Sequence, residues 1–181
     1  MKAKALAKAQ TEARAAMAKN WIAENGVLTG AADGGTIGSA KNYENFELIR
    51  DWKTEGEAAM GIRSIPQIAL GGKNSGALTG NMLHDNAAPK AAANGPQEWN
   101  TMQVKVVSDR VTVVLNGVTT AENVILENAC NREIPAYAEG QILLIAGNAP
   151  LNVREMYIRE LPATPRFELS EEEAADGFEV L

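Results

Sequence analysis

Few side chains in this 181-residue sequence are placed for proton transfer, and the clearest pair is His84 followed by Asp85. A histidine that is hydrogen-bonded to a carboxylate can act as a general base, so His84 is a candidate catalytic residue. Neighbouring side chains of an extended chain point in opposite directions, however, and such a pair rarely shares one site. His84 is the only histidine and Cys130 the only cysteine. We therefore expect neither a dedicated metal site nor a cofactor.

Charge and hydrophobicity exclude several classes of partner. The formal net charge of −6 argues against nucleic acid, whose phosphates require a basic surface. No apolar run is long enough to cross a bilayer, so we expect no membrane span. The N-terminus begins with basic residues, but charged residues interrupt any apolar stretch, and this pattern does not predict a signal peptide.

The elements that must position any functional side chain are predicted to be β-strands. Apolar residues alternate with polar ones in residues 98–118, and the apolar set is Met102, Val104, Val106, Val111, Val113 and Leu115. This period of two predicts strands with one buried and one exposed face. Ser108-Asp109 and Asn116-Gly117 interrupt the pattern, and Asn-Gly favours a tight hairpin. The stretch therefore predicts consecutive antiparallel strands.

Similar patterns recur along the chain. Asn25-Gly26 predicts a second tight hairpin. In residues 42–52, Phe46, Leu48 and Arg50 share one face of a predicted strand. Further strands are predicted near residues 60–63, 67–70, 121–126, 141–145 and 151–161, whereas the glycine-rich residues 30–38 are interpreted as a turn region. Many short strands separated by turns predict an all-β, two-sheet sandwich.

Both ends of the chain differ from this sandwich in composition. Residues 1–19 are rich in alanine and charged helix formers and predict a helix that packs on the sandwich. Residues 20–161 carry the strand pattern. Residues 162–181 contain prolines and a Glu171–Glu173 run, which predict a linker, and they become apolar again at Phe178. We interpret the last residues as the start of a second, truncated repeat.

Six short motifs resemble, in their order and spacing, those of the 3-keto-disaccharide hydrolase domain family. These motifs are Glu24–Leu28, Tyr43–Trp52, Ile62-Arg63 with Pro66-Gln67, Glu98–Asn100, Val111–Gly117 and Tyr157–Leu161. The resemblance implies a concanavalin A-like jelly-roll β-sandwich and activity on a disaccharide or other glycoside. The implied reaction cleaves a 3-keto-glycoside: a base removes the C2 proton, and an acid assists departure of the C1 substituent.

The resemblance also implies individual site residues. Arg63 and Gln67 match a family motif and could hydrogen-bond sugar hydroxyls, and Asn81 matches a polar loop position. Glu57 lies beside a position that carries a polar cluster in family members, which makes it a second candidate for catalysis. The alternative for Arg63 is a structural bond to a neighbouring strand. Trp99 is interpreted as core packing, with Glu98 and Asn100 as turn formers.

The chain departs from the family pattern where proton-transfer groups are expected. At these positions the chain has aliphatic residues or glycine, whose side chains cannot transfer a proton: Ala69, Gly71, Gly72 and residues 143–147. Two hypotheses follow. The domain is a glycoside-cleaving enzyme and the first repeat of a tandem protein, or it is a catalytically degenerate copy that binds sugar or supports the second repeat. For the full-length protein we expect a periplasmic or secreted location, with the leader outside this sequence.

Overall fold

The computed structural model describes residues 8, 11, 12, 15, 18–79, 92–128 and 130–164. In these residues the chain forms twelve β-strands arranged as two antiparallel sheets, preceded by helical residues that end at Asn20. The predicted all-β sandwich with an N-terminal helix is confirmed. Among the described residues, no helix is long and apolar enough to span a membrane.

The larger sheet has seven strands in the order β1-β2-β12-β4-β8-β9-β10. Its strands are β1 (Trp21–Glu24), β2 (Val27–Gly30), β4 (Phe46–Thr54), β8 (Asn100–Val107), β9 (Arg110–Leu115), β10 (Val118–Ile125) and β12 (Leu151–Glu160). The smaller sheet has the order β3-β11-β5-β6-β7. It contains β3 (Gly35–Gly38), β5 (Ala58–Gly61), β6 (Gln67–Leu70), β7 (Leu78–Thr79) and β11 (Leu143–Ala146).

Local turn chemistry fixes the hairpins of the larger sheet. Asn25 and Gly26 have φ angles of 51° and 76°, and Asn116 and Gly117 have 49° and 82°. Two consecutive left-handed residues make the turn whose twist matches that of paired strands, and Asn-Gly adopts it at low cost. Both predicted Asn-Gly hairpins are confirmed.

The core lies between the sheets, where the alternating apolar residues of β4, β8 and β9 are buried. Arg50 lies among them at 0% exposure. None of its three guanidinium nitrogens has a hydrogen-bond partner, and burial lowers the pKa of Arg50 to about 9. A buried cation without a partner opposes folding. The prediction that Phe46, Leu48 and Arg50 share one face of a strand is confirmed, and that face is buried.

The structure differs from the sequence prediction in two segments. The glycine-rich region is not all turn, because Gly35–Gly38 forms β3 and pairs with β11. The strand predicted at 121–126 begins earlier, at Val118, and continues directly from the Asn116-Gly117 turn. Two register shifts interrupt its pairing with β9, one on each side of Ala121. These irregularities break the period of two and hide the strand's true start in the sequence.

Candidate functional site

The polar residues of β4 lie on the outer face of the seven-stranded sheet, away from the core. Asp51 and Lys53 alternate with the buried Arg50 and Trp52, so their side chains leave the opposite face. Asp51 pairs in register with Thr101 on one side and Arg154 on the other. Three neighbouring strands therefore bring their polar side chains together. With Trp99, these residues form the outer-face cluster: Asp51, Lys53, Trp99, Thr101 and Arg154.

Trp99 reaches this face because the residues around it hold the turn before β8. The carboxylate of Glu98 accepts a hydrogen bond from the backbone nitrogen of Gly95 at 3.0 Å. The buried Asn100 side chain accepts from the backbone nitrogen of Asn94 at 2.7 Å and from Asn116 Nδ2 at 2.9 Å. The prediction that Glu98 and Asn100 shape a turn is confirmed.

Trp99 itself is not a core residue, and that part of the prediction is wrong. Its side chain is only half-buried, and two cations lie over its ring. The guanidinium carbon of Arg154 is 4.0 Å from the ring centre, and Lys53 Nζ is 5.0 Å away. Cations are attracted to the electron-rich face of an indole. The half-buried indole is thus held among polar groups, with a guanidinium and an ammonium over its ring.

A bulge in β12 sets the position of Arg154. The pairing of β12 with β4 shifts between Arg154 and Tyr157, and Glu155 adopts a left-handed φ of 48°. Bulges of this kind re-aim side chains and are common beside functional sites. On the far side of the bulge, the Tyr157 hydroxyl donates to Glu155, which raises the pKa of Tyr157.

Asp51 orients the cluster because both of its carboxylate oxygens accept hydrogen bonds. Thr101 Oγ1 donates to Oδ1 at 2.7 Å, and Arg154 Nε donates to Oδ2 at 3.2 Å. Both oxygens are therefore engaged by protein donors. Arg154 keeps its two terminal nitrogens for a ligand, whereas Asp51 acts as a positioning residue.

A polar cleft of about 200 Å³ adjoins the cluster. It is lined by Lys53, Thr54, Glu55, Gln97, Pro150 and Asn152. Lys53 belongs to both the cleft and the cluster. Thr29 Oγ1 donates to Asn152 Oδ1 at 3.0 Å, which leaves Nδ2 of Asn152 as a donor. Glu55 is exposed and contributes a carboxylate. The cleft therefore combines an ammonium, a carboxylate and an amide beside an aromatic ring.

Arg63 lies elsewhere and is bonded to the protein. It is 2% exposed, and its guanidinium donates to the backbone oxygens of Glu44, Ser108 and Tyr137 and to Asn45 Oδ1. These contacts occupy all five N–H donors of an arginine. Burial lowers the pKa of Arg63, and the nearby charges of Glu44 and Asp109 oppose that shift. The contacts match the structural alternative, while sugar binding by Arg63 stays a prediction.

The structure does not bring the other described candidates to the outer-face cluster. Gln67 is in β6 and alternates with the buried Ile68, so it lies on the outer face of the smaller sheet, across the sandwich. Glu57 is exposed just before β5, and its backbone nitrogen donates to Asn148 Oδ1 at 2.9 Å. Asn81 and His84 lie outside the described residues. The roles predicted for these four residues stay predictions.

Two other clefts offer less suitable chemistry. One, of about 160 Å³, opens between the sheets and is lined mainly by apolar side chains, including Leu28, Ile142 and Ile158. The other, of about 230 Å³, lies beside Arg63, whose donors are occupied. Within the described ranges, no three His, Cys, Asp or Glu residues are grouped closely enough to hold a metal ion.

Asp51, Lys53 and Arg154 were not predicted as site residues, although the strand pattern indicated their positions in part. Asp51 and Lys53 fall on the exposed face of a strand whose inner face was correctly predicted. Arg154 precedes the Tyr157–Leu161 motif on the last strand. Only the register between β4 and β12 places these residues together, and that register is a long-range property.

Comparison with known proteins identifies relatives of the chain. The family model described as a 3-keto-alpha-glucoside-1,2-lyase-like domain matches residues 5–159. A comparison with functionally curated proteins found no match.

Solved structures share the fold. A candidate glycosyl hydrolase of Parabacteroides distasonis superimposes with a TM-score of 0.63 at 24% identity, covering 79% of this chain and 91% of that one. A second candidate glycosyl hydrolase from the same organism gives 0.61 at 18% identity, covering 79% and 84%. The carbohydrate-binding module CBM66 of Bacillus subtilis gives 0.55 at 14% identity, covering 77% and 91%. The predicted jelly-roll β-sandwich is confirmed.

Proposed function

Because the chain belongs to the 3-keto-alpha-glucoside-1,2-lyase-like domain family, we propose that it is a carbohydrate-active domain that binds a glycoside in the polar cleft. The observation that carries this proposal is that Lys53, which lines the cleft, also lies over the half-buried ring of Trp99, as Arg154 does. Sugar rings have an apolar face that packs on an aromatic surface, while their hydroxyls need a few fixed polar partners. This arrangement supplies both.

We propose further that the bound glycoside is a 3-keto-glycoside and that the domain cleaves it. The ketone acidifies the C2 proton, so a base can remove it and leave an enediolate. The electron pair then expels the C1 substituent, which takes a proton as it leaves, and water adds to the resulting double bond. Glu55 is the carboxylate that lines the cleft, and we assign it the role of base. Lys53, which also lines the cleft, is the cation that we assign to the negative charge that develops on the ketone oxygen.

The test is to incubate the full chain with a 3-keto-disaccharide and to follow release of the free sugar, with the unoxidised disaccharide as the substrate control. Turnover should require the ketone. Glu55→Gln should lower kcat by about 100-fold or more, as expected for loss of a general base. Glu122→Gln changes an exposed carboxylate on β10 and should leave kcat unchanged. Equal turnover by the Glu55 and Glu122 variants would remove Glu55 from the mechanism.

The second candidate function is a catalytically degenerate copy that binds sugar without cleaving it. One observation favours it: Asp51, the carboxylate within the outer-face cluster, has both oxygens engaged by Thr101 and Arg154. Binding of the 3-keto-disaccharide without release of free sugar would support this alternative. The tandem arrangement and the periplasmic or secreted location of the full-length protein remain part of the proposal.

A further inference from the structure

Two cations lie over the ring of Trp99, and only one of them is paired with an acid among the described residues. Arg154 is paired with Asp51, whose second oxygen accepts from Thr101. Lys53 has no ion pair with any acidic residue in the described part of the chain, although its Nζ lies 5.0 Å from the Trp99 ring centre. Glu55, the next acid along the chain, also lines the cleft and forms no such pair with Lys53. The cleft therefore holds an ammonium that is available to an anionic group of a ligand, together with the carboxylate of Glu55.

Other cations on the same face of the sheet are paired. Lys105 lies 3.4 Å from Glu47, and Arg159 contacts the other oxygen of the same carboxylate. Arg159 and Lys105 thus share an acid at one end of the face, whereas Lys53 has none at the other. The unpaired charge is a local property of the cleft, and paired cations surround the rest of this face.

Arg154 presents its terminal nitrogens in a fixed orientation. Its Nε donates to Asp51 at 3.2 Å, and its guanidinium carbon lies 4.0 Å from the centre of the Trp99 ring. A guanidinium that is held at one edge and along one face loses little entropy when it binds a ligand. Its planar fork fits a planar group with two oxygen acceptors, and a carboxylate is the best match.

The hydrogen-bonding groups nearby are mostly donors. Nδ2 of Asn152 is unused, because only the Oδ1 of that amide accepts, from Thr29 at 3.0 Å. The terminal nitrogens of Arg154 and the ammonium of Lys53 add further donors, whereas both oxygens of Asp51 are already occupied. A ligand that binds these donors must supply acceptors, whereas the Glu55 carboxylate in the same cleft accepts hydrogen bonds from its hydroxyls.

We propose that the saccharide recognised by the cleft carries a carboxylate, as a uronic acid does, and that Lys53 and Arg154 bind this group while the sugar ring packs on Trp99. This inference rests on the proposed function, because it names the class of sugar that the same cleft binds. It adds a preference of the cleft for charged over neutral saccharides.

The experiment is calorimetric titration of the full chain with two matched disaccharides, one ending in glucose and the other in glucuronic acid. We expect the uronate to bind about tenfold tighter or better, since charge-assisted hydrogen bonds exceed neutral ones in strength. Lys53→Met should remove about tenfold more from the affinity for the uronate than from the affinity for the glucose-ended sugar. Lys105→Met is the matched control, because its cation already shares Glu47 with Arg159, and it should change neither affinity.

The possible results separate the two proposals. Equal affinity for the two disaccharides would overturn the carboxylate inference and leave the proposed function standing. Binding of neither disaccharide or of the 3-keto-disaccharide would overturn both. A third ligand with a sulfate at the same position distinguishes the anions: tighter binding of the sulfate than of the uronate would contradict the fit of a planar carboxylate to the Arg154 fork.

Discussion

Arg154 Nε donates to Asp51 Oδ2 at 3.2 Å while the guanidinium of the same arginine lies over the Trp99 ring. Asp51 thereby determines where Arg154 points without touching a ligand itself. Asp51→Asn should lower sugar affinity by about tenfold, because the neutral amide holds the guanidinium less firmly. Titration calorimetry measures this change.

The matched control for Asp51 is Glu47, which also lies on β4 and also bonds cations of neighbouring strands, Lys105 and Arg159. Exposed ion pairs contribute little to stability, so Glu47→Gln should alter neither sugar affinity nor stability appreciably. If both variants lost affinity equally, the orienting role of Asp51 would be wrong.

Trp99 should report sugar binding through its fluorescence. The chain has three tryptophans, and the other two, Trp21 and Trp52, are buried in the core. A ligand in the polar cleft should therefore change the emission of Trp99 alone, and Trp99→Phe should abolish the change. Trp99→Ala should also weaken binding by about tenfold, because it removes the stacking surface. Tyr137→Ala removes an exposed aromatic elsewhere, and a comparable loss of affinity there would contradict the placement of the site.

Replacing Arg50 should make the protein more stable. Its guanidinium is fully buried and has no hydrogen-bond partner, and an apolar side chain of similar length removes that penalty. Arg50→Met should raise the free energy of unfolding by roughly 1–4 kcal/mol near pH 7. Urea unfolding followed by circular dichroism measures the difference, and a loss of stability would show that Arg50 has a favourable partner.

The advantage of Arg50→Met should shrink at high pH. Burial lowers the pKa of Arg50 from its ordinary value to about 9, so above about pH 9 the unfolded chain holds a proton that the folded chain has released. The stability of the wild type therefore increases with pH in this range relative to the variant. Unfolding curves of both proteins from pH 8 to about 11 give the difference directly, because their other titrating groups are the same. A constant difference would contradict the shifted pKa.

Replacing Arg63, unlike replacing Arg50, should make the protein less stable. Its donors satisfy backbone oxygens of Glu44, Ser108 and Tyr137, so Arg63→Met should cost about 3 kcal/mol or more. Arg110→Met is the control, because the contacts of that exposed arginine, with the Asn123 carbonyl oxygen at 3.0 Å and the Asp109 carboxylate at 3.9 Å, lie at the surface. Unchanged stability of the Arg63 variant together with lost sugar affinity would instead support the binding role predicted from the sequence.

Much of the larger sheet could be predicted from the sequence because the patterns that specify its strands and turns are local. The alternation in β4, β8 and β9 and the two Asn-Gly turns depend on neighbouring residues only. β3 was missed because glycines that favour turns also permit an extended strand, and its pairing with β11 is not encoded nearby. Trp99 was assigned to the core because a large aromatic side chain is usually buried, although its amphipathic ring also suits a binding surface. The polar cleft could not be predicted, because it depends on the register between distant strands, which no short motif specifies.

The bulged strand β10 has a consequence for self-association. It is the last strand of its sheet, and its two register shifts and the left-handed Asn123, at φ 51°, interrupt the row of backbone groups that it presents outward. A flat, regular border would invite a second molecule to extend the sheet and start a fibril. Here the border is kinked, so copies of this domain held at high local concentration can remain separate folding units.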